Sequence, residues 1–164
     1  MTLRDATAAD LPWLRGLVAG DAAAPFLSTD AAADLEALPG GDRERLLVIE
    51  DDGAPAGAVR VVVVNRRSRI ADIRTLVLDP AARGRGLAVA TLRALADRYL
   101  RDEGLHRLEA EVYGFNQPAL RAFTAAGFTR EGVRRRAYDR HGAWQDGVRF
   151  GLLADDPPVS AGAP

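Results

Sequence analysis

Apolar and polar side chains alternate along several stretches of the chain, and this pattern predicts β-strands. In residues 106–113, the apolar positions Leu108, Ala110 and Val112 are separated by polar or charged residues. Successive side chains of a strand point to opposite faces, so this stretch is predicted to be a strand with one packed face. Similar alternation and unbroken apolar runs predict six further strands, at residues 3–6, 46–50, 56–65, 70–78, 129–138 and 143–153.

Four other stretches space their apolar residues by three or four positions, which is the spacing of an amphipathic helix. After Gly86, for example, Ala88, Leu92, Leu95 and Tyr99 form one apolar stripe. The predicted helices run from the cap at Thr7 to about Ala19, from Asp30 to Leu38, from Gly86 to the C-cap at Gly104, and from Asn116 to Gly127.

The connections between these elements predict how the strands pair. Short turns join strands 46–50, 56–65 and 70–78, which favours an antiparallel meander. A helix separates strand 70–78 from strand 106–113, and such a unit makes a right-handed crossover to a parallel neighbour. We therefore expect an α/β (α+β) fold with a mixed, mostly antiparallel sheet of about seven strands flanked by about four helices.

The composition excludes several kinds of chemistry. The chain of 164 residues has no cysteine and no lysine, which rules out disulfides, thiolate nucleophiles, Cys-ligated zinc and a lysine Schiff base. Its two histidines, His106 and His141, are too few for a histidine-rich metal site, so we expect no metal. The exclusive use of arginine, together with abundant alanine, suggests a bacterial genome of high GC content.

Charge and hydropathy narrow the expected partners and location. The net charge of -1 provides no global attraction for nucleic acid or for an anionic membrane. The sequence shows no apolar run of membrane-spanning length and no N-terminal signal pattern. We therefore expect a cytoplasmic protein that binds neither nucleic acid nor membranes. Its predicted organisation is a single domain over residues 1–154 and a disordered tail over 155–164.

One stretch joins a predicted buried strand to a helix through a glycine-rich turn. The apolar run Leu76–Leu78 meets a proline, and Gly84 and Gly86 then lead into the helix. The first turn of a helix has free N–H groups and a partial positive charge, and glycines let an anion approach the backbone closely. Arg83 and Arg85 would add positive charge, so the stretch is a candidate phosphate site.

Three kinds of nucleotide-binding loop compete for this stretch. A dinucleotide fingerprint requires a third small residue where position 89 is valine, and the phosphate loop of an NTPase requires a lysine. The third pattern, Arg/Gln-x-x-Gly-x-Gly/Ala, fits Arg83, Gly86 and Ala88. On these residues the sequence resembles the GNAT superfamily of N-acetyltransferases, whose loop binds the pyrophosphate of acyl-CoA. An ordinary strand-to-helix turn is the remaining alternative.

A second motif strengthens this resemblance. Asn116, Ala119, Gly127 and Phe128 fit the superfamily pattern Asn-x-x-Ala/Ser-x-x-x-Tyr-x-x-x-Gly-Phe. The resemblance implies that Asn116 contacts the pantetheine of CoA or the acceptor pocket, although a plain helix cap explains it equally well. Where the pattern has tyrosine, thought to protonate the leaving thiolate, this chain has Phe123.

The C-terminal hairpin is similar to the branch of ribosomal-protein alanine N-acetyltransferases and their small-molecule relatives. Glu131-Gly132 is followed by arginines and then by Gly142-Ala143-Trp144-Gln145-Asp146, which is the order found in that branch. The upstream half is closer to the general superfamily pattern, so this likeness does not imply a substrate. Residues 134–136, all arginine, are interpreted as exposed edge charges or CoA contacts.

The resemblance implies a sheet whose two central parallel strands splay apart, with acetyl-CoA between them. The pantetheine would pair with the backbone of residues 76–78 as an added strand does, and the pyrophosphate would lie on N–H groups of residues 83–88. The region 20–45 would line the acceptor pocket, and Trp13, Phe26 and Leu27 are interpreted equally well as core or as pocket residues. The predicted cofactor-binding residues are Leu76, Val77, Leu78, Arg83, Gly84, Arg85, Gly86, Leu87, Ala88, Asn116 and Phe123.

Acetyl transfer to an amine has three chemical requirements. The amine, with a pKa of about 8 to 10, must lose a proton, and a carboxylate acting through water is a suitable acceptor. Glu109 and Glu111 are the candidates, because they lie on the non-packed face of the strand that, by the resemblance, would border the acyl group. The N–H of Leu78 is the candidate for stabilising the oxyanion. The CoA thiol, with a pKa of about 8.5, can leave without a general acid. If an acid does take part, Tyr113 or Tyr138 could replace the missing tyrosine.

The sequence therefore predicts an acetyl-CoA-dependent N-acetyltransferase that acts on a primary amine by direct attack in a ternary complex. The alternative from another functional class is a non-catalytic acyl-CoA-binding sensor or interaction module. The acceptor stays open between a protein N-terminus, an amino sugar antibiotic, a polyamine and an amino acid derivative. The protein is expected to be a monomer or a homodimer, since the last hairpin could add strands across a dimer.

Overall fold

Seven strands form one mixed sheet in the computed structural model, which describes residues 1–20, 22–27 and 29–157. The strands are β1 Thr2–Asp5, β2 Glu44–Asp51, β3 Ala54–Asn65, β4 Ile70–Leu78, β5 Arg107–Tyr113, β6 Thr129–Arg140 and β7 Ala143–Leu153. The α-helices within these ranges are α1 Leu11–Ala19, α2 Thr29–Glu36, α3 Leu87–Ala96 and α4 Gln117–Ala125. Most of the tail predicted at 155–164 lies outside the described residues.

The strand order is β1-β2-β3-β4-β5-β7-β6, and β4 and β5 are the parallel neighbours in this order. The other described pairs are antiparallel, including the predicted meander of β2, β3 and β4. The predicted mixed, mostly antiparallel sheet is therefore confirmed. None of the helices in the described ranges combines the length and the apolar character needed to cross a bilayer.

The first helix starts later than the sequence pattern predicts. The carboxylate of Asp10 accepts the N–H of Thr7 at 2.8 Å, as expected for a cap at this position. The turn that follows, Ala8–Asp10, is a 3-10 helix, and the α-helix begins at Leu11. Arg4 donates to Asp10 at 2.7 Å and holds the pKa of this carboxyl far below its usual range. The cap is thereby tied to β1.

Helices cover the two faces of the sheet over different strands. Leu92 and Leu95 of α3 pack with Leu108 of β5 in the larger core, on one face. Leu14 and Leu35, from α1 and α2, form the second core on the other face. The alternation predicted for β5 is confirmed, because its even-numbered residues 108–112 are buried and its odd-numbered residues are half-buried.

The parallel ladder between β4 and β5 is short. It runs over three residue pairs, from Ile70 opposite Arg107 to Asp72 opposite Glu109. Beyond Asp72 the two strands diverge, and their separation opens a cleft toward the C-terminal end of β4. The splayed parallel pair implied by the resemblance is therefore present.

A β-bulge changes the direction of the side chains in β4 just beyond the last parallel pair. Between Ile73 and Leu76, three steps along β4 oppose two steps along β3. As a result Ile73 packs in the core under α3, whereas Val77 packs in the core under α1 and α2. An extra residue of this kind reverses the alternation of a strand. It turns the side chains of Leu76 and Leu78 toward the α3 side.

Candidate active site

Two adjoining cavities occupy the cleft between β4 and β5. The first, of about 450 Å³, is lined by three acidic residues, Asp34, Asp72 and Glu111, and we call it the acidic cavity. The second, of about 590 Å³, is bounded by residues of the glycine-rich loop 83–88, and we call it the loop cavity. Both are lined by Phe26, Leu27, Leu76, Ala88, Asn116, Ala119 and Ala122, so they are continuous.

The loop cavity contains the backbone geometry of an anion site. Gly84 and Gly86 have φ values of +75° and +76°, in the left-handed region that glycine adopts without a steric penalty. Alternating left-handed residues turn successive N–H groups toward one point, and the N-terminus of α3 follows directly at Leu87. The side chain of Leu87 is buried against Ala56 and Ala82, which fixes the loop.

The edge of β4 offers peptide groups to the cleft that no other strand pairs with, and among them the carbonyl of Leu78 is bound by Arg83. The N–H of Asp79 donates to the carbonyl of Ala56 at 2.9 Å, which is the β3 side. Because peptide groups alternate along a strand, those of Leu78 and Leu76 face the opposite side, toward the cleft. The parallel ladder to β5 has already ended at Asp72. An extended ligand with amide groups could pair with this edge as an additional strand.

The two arginines of the loop point in different directions. Arg83 lines the loop cavity, where its guanidinium donates to the carbonyls of Leu78 at 3.3 Å and Ala22 at 3.1 Å. Arg85 lies outside the residues that line either cavity. Its guanidinium is 2.5 Å from the carboxylate of Asp51, the last residue of β2, and 3.6 Å from that of Asp52 in the turn that follows. The structure thus places Arg83 in the predicted site and Arg85 beside it.

Residues 22–27 cross the mouth of the cleft and are held from both sides. Arg83 binds the carbonyl of Ala22 from the loop side. Arg140, near the tip of the β6–β7 hairpin, donates to the carbonyls of Ala24 at 3.3 Å and Leu27 at 2.8 Å. The segment therefore forms one wall of both cavities, to which it contributes Phe26 and Leu27.

Asn116 and Phe123 both border the cleft. The side chain of Asn116 accepts the N–H of Ala119 at 3.2 Å, so Asn116 caps α4 while also lining both cavities. Phe123 is buried and stacks on Phe150 with ring centroids 5.3 Å apart. It lines the acidic cavity without a hydroxyl, so it supplies no proton there.

Glu111 lies in the acidic cavity and is held by two donors. The hydroxyl of Tyr138 donates to its Oε1 at 2.6 Å, and Arg134 donates to the same oxygen at 3.0 Å. Burial and this hydrogen bond raise the pKa of Tyr138 to about 12, so its hydroxyl is protonated at neutral pH. Tyr113 packs edge-on against Tyr138 at 4.8 Å and also lines the cavity.

Glu109, the other predicted base, lies at the closed end of the cleft. Its carboxylate accepts the Nε–H of Arg107 at 2.9 Å, and it does not line either cavity. Arg107 also pairs with Glu131 on β6. Glu109 is therefore part of an ion-pair network on the sheet surface, and the two predicted bases have different surroundings.

Asp72 is a site residue that the sequence pattern did not reveal. It is the last residue of β4 in the parallel ladder, and its carboxylate lines the acidic cavity. Burial raises its pKa, the charge of Glu109 adds to this effect, and Arg74, 3.6 Å away, opposes it. The available signal is a single acid in the predicted strand 70–78. The apolar run at the end of that strand predicts burial, so the pattern favours the acids of strand 106–113 instead.

Within the described ranges, no group of three acidic or histidine side chains converges in the manner of a metal site. The cleft instead combines an anion-binding loop, an unpaired strand edge and a carboxylate at the point where the strands diverge. This arrangement can bind an extended phosphate ester and place its far end beside a proton acceptor.

Comparison with known proteins agrees with this geometry. The model of the acetyltransferase (GNAT) family matches residues 16–128. An uncharacterised prophage-derived N-acetyltransferase of Bacillus subtilis is 25% identical over 121 residues, which are 74% of this chain and 68% of the relative. The spermidine N(1)-acetyltransferase of Escherichia coli K12 is 28% identical over 107 residues, which are 65% of this chain but 57% of that relative.

A solved structure extends the similarity to the whole fold. The spermidine N-acetyltransferase from Vibrio cholerae, in complex with CoA and spermine, superposes with a TM-score of 0.81. The match covers 94% of this chain and 96% of that one, at 22% sequence identity. At this identity the match establishes a common fold.

Proposed function

The chain belongs to the GNAT family of acetyltransferases, and on this premise we propose that it transfers the acetyl group of acetyl-CoA to a primary amine. The proposed reaction is direct attack of the amine in a ternary complex. The observation that carries the proposal is the position of Asp72, a carboxylate of raised pKa in the acidic cavity, which adjoins the cavity bounded by the glycine-rich loop. A proton acceptor at this position is what an amine nucleophile requires.

The residues of the loop cavity suit acetyl-CoA. The backbone N–H groups between Arg83 and Ala88 are suited to its pyrophosphate, and the free edge at Leu76 and Leu78 is suited to the amides of its pantetheine. Acetyl-CoA supplies the activated acetyl thioester when bound. The shared lining of the two cavities gives an extended molecule a path from the loop to Asp72.

The residues of the acidic cavity then have separate roles in the proposed reaction. Asp72 accepts the proton of the amine through a water molecule. The N–H of Leu76, which faces the cleft and lines both cavities, is available to stabilise negative charge on the acetyl oxygen. Leu78, the donor predicted from the sequence, lines the loop cavity, six strand residues from Asp72. Glu111, held by Tyr138, accepts a hydrogen bond from the acceptor. Phe123 provides an apolar wall. Because it has no hydroxyl to donate a proton, CoA leaves as a thiolate.

The identity of the acceptor requires a panel of amines. A relative named for spermidine brings a polyamine into the panel, and the likeness of the C-terminal hairpin to ribosomal-protein alanine acetyltransferases brings a peptide with an N-terminal alanine. The panel of amines also includes an aminoglycoside and an amino acid amide. Release of CoA thiol reports turnover, and the chain itself gives no thiol background because it has no cysteine.

Acetyl-CoA is expected to stabilise the protein against heat, whereas ATP is not. A ligand at one hundred times its Kd adds about 2.7 kcal/mol to the free energy of unfolding, because it binds the folded state alone. For a domain of this size the melting temperature would rise by about 5 to 10 °C. A thermal-shift titration with acetyl-CoA, CoA and ATP measures this directly.

Each outcome of the titration and the amine panel has a definite meaning. Stabilisation by acetyl-CoA with thiol release supports the transferase. Stabilisation without release for any amine would favour the non-catalytic sensor. If millimolar acetyl-CoA and CoA left the melting temperature unchanged, the loop would be an ordinary turn and the proposed function would be wrong.

The two loop arginines are expected to differ in their effect on acetyl-CoA affinity. Arg83→Ala removes a guanidinium that lines the loop cavity, and we expect the Kd of acetyl-CoA to rise by about fivefold. Arg85→Ala removes a partner of Asp51 and should leave the Kd within about twofold. Isothermal titration calorimetry compares the two. Equal losses in both variants would show that Arg85 leaves Asp51 to bind the ligand.

A further inference from the structure

Strand β6 contains a large β-bulge near the end of the acidic cavity. Arg134 pairs with Gly147 of β7, and the next pair along the ladder is Tyr138 with Gln145. Four steps along β6 therefore oppose two steps along β7. Within the bulge Arg136 has a φ of +50°, in the left-handed region that is unfavourable for a side chain other than glycine. Such a conformation persists where surrounding contacts hold it.

The contact that holds the bulge comes from Asp146. Its carboxylate Oδ1 accepts the N–H of Arg136 at 2.8 Å. Its backbone carbonyl accepts the N–H of Gly114, just after β5, at 2.8 Å. Asp146 thus connects the bulge of β6 to the strand that carries Glu111. This is also the aspartate that ends the Gly-x-Trp-x-Asp stretch of the hairpin.

The bulge decides which side chain reaches the cavity. In a regular ladder continuing from Arg134, residue 136 would pair with Gln145, whereas the bulge brings Tyr138 to that position. Gly147, on β7 between β5 and β6, has no side chain, and this leaves space for the contact of Tyr138 with Glu111. A Cβ at Gly147 would approach Tyr138 Cε2 to 2.9 Å and would overlap the carboxylate of Glu111.

We propose that Asp146 is a positioning residue, which holds the β6 bulge so that the hydroxyl of Tyr138 fixes the carboxylate of Glu111 for the amine acceptor. The inference rests on the proposed function, because it assigns Glu111 to acceptor binding. A carboxylate has capacity for about four hydrogen bonds, so Glu111 retains acceptor sites beyond those used by Tyr138 and Arg134. Loss of the Asp146 contact should therefore weaken acceptor binding and leave acetyl-CoA binding unchanged.

The position of Tyr138 can be measured without any reaction. The chain has three tyrosines, so labelling with 3-fluorotyrosine gives three 19F resonances, and Tyr138→Phe assigns the relevant one. In Asp146→Ala we expect this resonance to shift and to titrate at lower pH, because the hydrogen bond to Glu111 is lost. Asp146→Asn retains an oxygen that can accept the N–H of Arg136, and it should preserve the native resonance.

Asp139→Ala is the matched control. Asp139 lies on the same hairpin, is exposed, and makes no side-chain hydrogen bond within the described ranges. Its removal should leave the Tyr138 resonance in place. If Asp146→Ala also leaves that resonance and its titration unchanged, or if Asp146→Asn is altered as strongly as Asp146→Ala, the positioning role is wrong.

Steady-state kinetics add a second readout, with the amine of the panel that reacts fastest. We expect Asp146→Ala to raise the KM for this amine about tenfold, with the Kd of acetyl-CoA unchanged and with rescue in Asp146→Asn. Parallel losses in acetyl-CoA affinity and in folding would instead mean a general structural role and overturn the inference. Absence of turnover in the unmodified protein would contradict the proposed function, and the 19F result would still decide whether Asp146 positions Tyr138.

Discussion

Replacing Asp72 by asparagine is expected to lower kcat about 100-fold, because a positioned general base contributes on the order of 100- to 10,000-fold. Asparagine has nearly the same shape as aspartate, so the β4 backbone and the binding of acetyl-CoA should be retained. Thiol release under saturating acetyl-CoA, with the fastest amine of the panel, measures kcat. A thermal shift with acetyl-CoA confirms that the variant is folded and binds.

The pH profile separates a base from a structural carboxylate. Burial raises the pKa of Asp72, so the base becomes protonated, and kcat/KM falls, at a higher pH than for an exposed aspartate. In Asp72→Asn this dependence should disappear, and the rate should keep rising with pH as the free amine accumulates, up to a pH of about 10. If Asp72→Asn lowered kcat/KM equally at every pH and left the shape of the pH profile unchanged, Asp72 would not be the base.

The two glutamates of β5 serve as controls for Asp72. Glu109→Gln should leave kcat nearly unchanged, since Glu109 is bound to Arg107 and does not line either cavity. Glu111→Gln should act mainly on the KM for the amine. If Glu109→Gln or Glu111→Gln abolished kcat while Asp72→Asn retained it, the base would be on β5, as the sequence pattern alone predicts.

Replacing Gly86 by valine is expected to raise the Kd of acetyl-CoA about 50-fold. A β-branched residue is strongly disfavoured at a φ of +76°, and the relaxation of the backbone would turn the N–H groups of the loop away from the phosphate site. The loss of several charge-assisted hydrogen bonds at once accounts for the size of the effect. Calorimetric titration of acetyl-CoA into the variant gives the Kd.

Gly104→Val controls for the strain itself. Gly104 has a φ of +68° and open space around its Cα, as Gly86 has, and it does not line either cavity. Both variants should lose similar amounts of stability without ligand, on the order of 1 to 2 kcal/mol. Only the substitution at Gly86 should weaken acetyl-CoA binding. Equal affinities in the two variants would show that the loop does not bind the phosphate through its backbone.

Local patterns predicted much of the fold. Strand β4 has the predicted bounds Ile70–Leu78, because its apolar run ends at the turn before Pro80. The loop and the start of α3 were predicted because Gly84 and Gly86, which can adopt turns that other residues disfavour, lie between an apolar run and an amphipathic pattern. Most errors at the ends of elements concern one to four residues, as at α1, where a 3-10 turn precedes the helix. The error is larger at α3, which ends at Ala96 and is followed by a π-helix over Asp97–Asp102, whereas the helix was predicted to reach Gly104.

The remaining features depend on how distant segments meet. A bulge in β4 leaves no mark in the hydrophobic pattern, so the turn of Leu76 and Leu78 toward the α3 side could not be derived from alternation. The exposure of Asp72 to the cleft depends on where the ladder between β4 and β5 ends, which also has no local signal. The direction of Arg85 depends on Asp51, which is 34 positions away in the sequence and reaches it through the turn after β2. The different surroundings of Glu109 and Glu111 arise from Arg107 and from the β6 bulge, neither of which has a local signature.

The three-pair ladder between β4 and β5 has a mechanical consequence. It leaves the meander β1–β4 and the strands β5–β7 joined through few interstrand hydrogen bonds at the centre of the sheet. Any molecule that pairs with the free edge of β4 and contacts α4 closes this gap and continues the sheet. The ligand then becomes part of the sheet, and backbone amide exchange should slow in β4 and β5 together when the gap is filled.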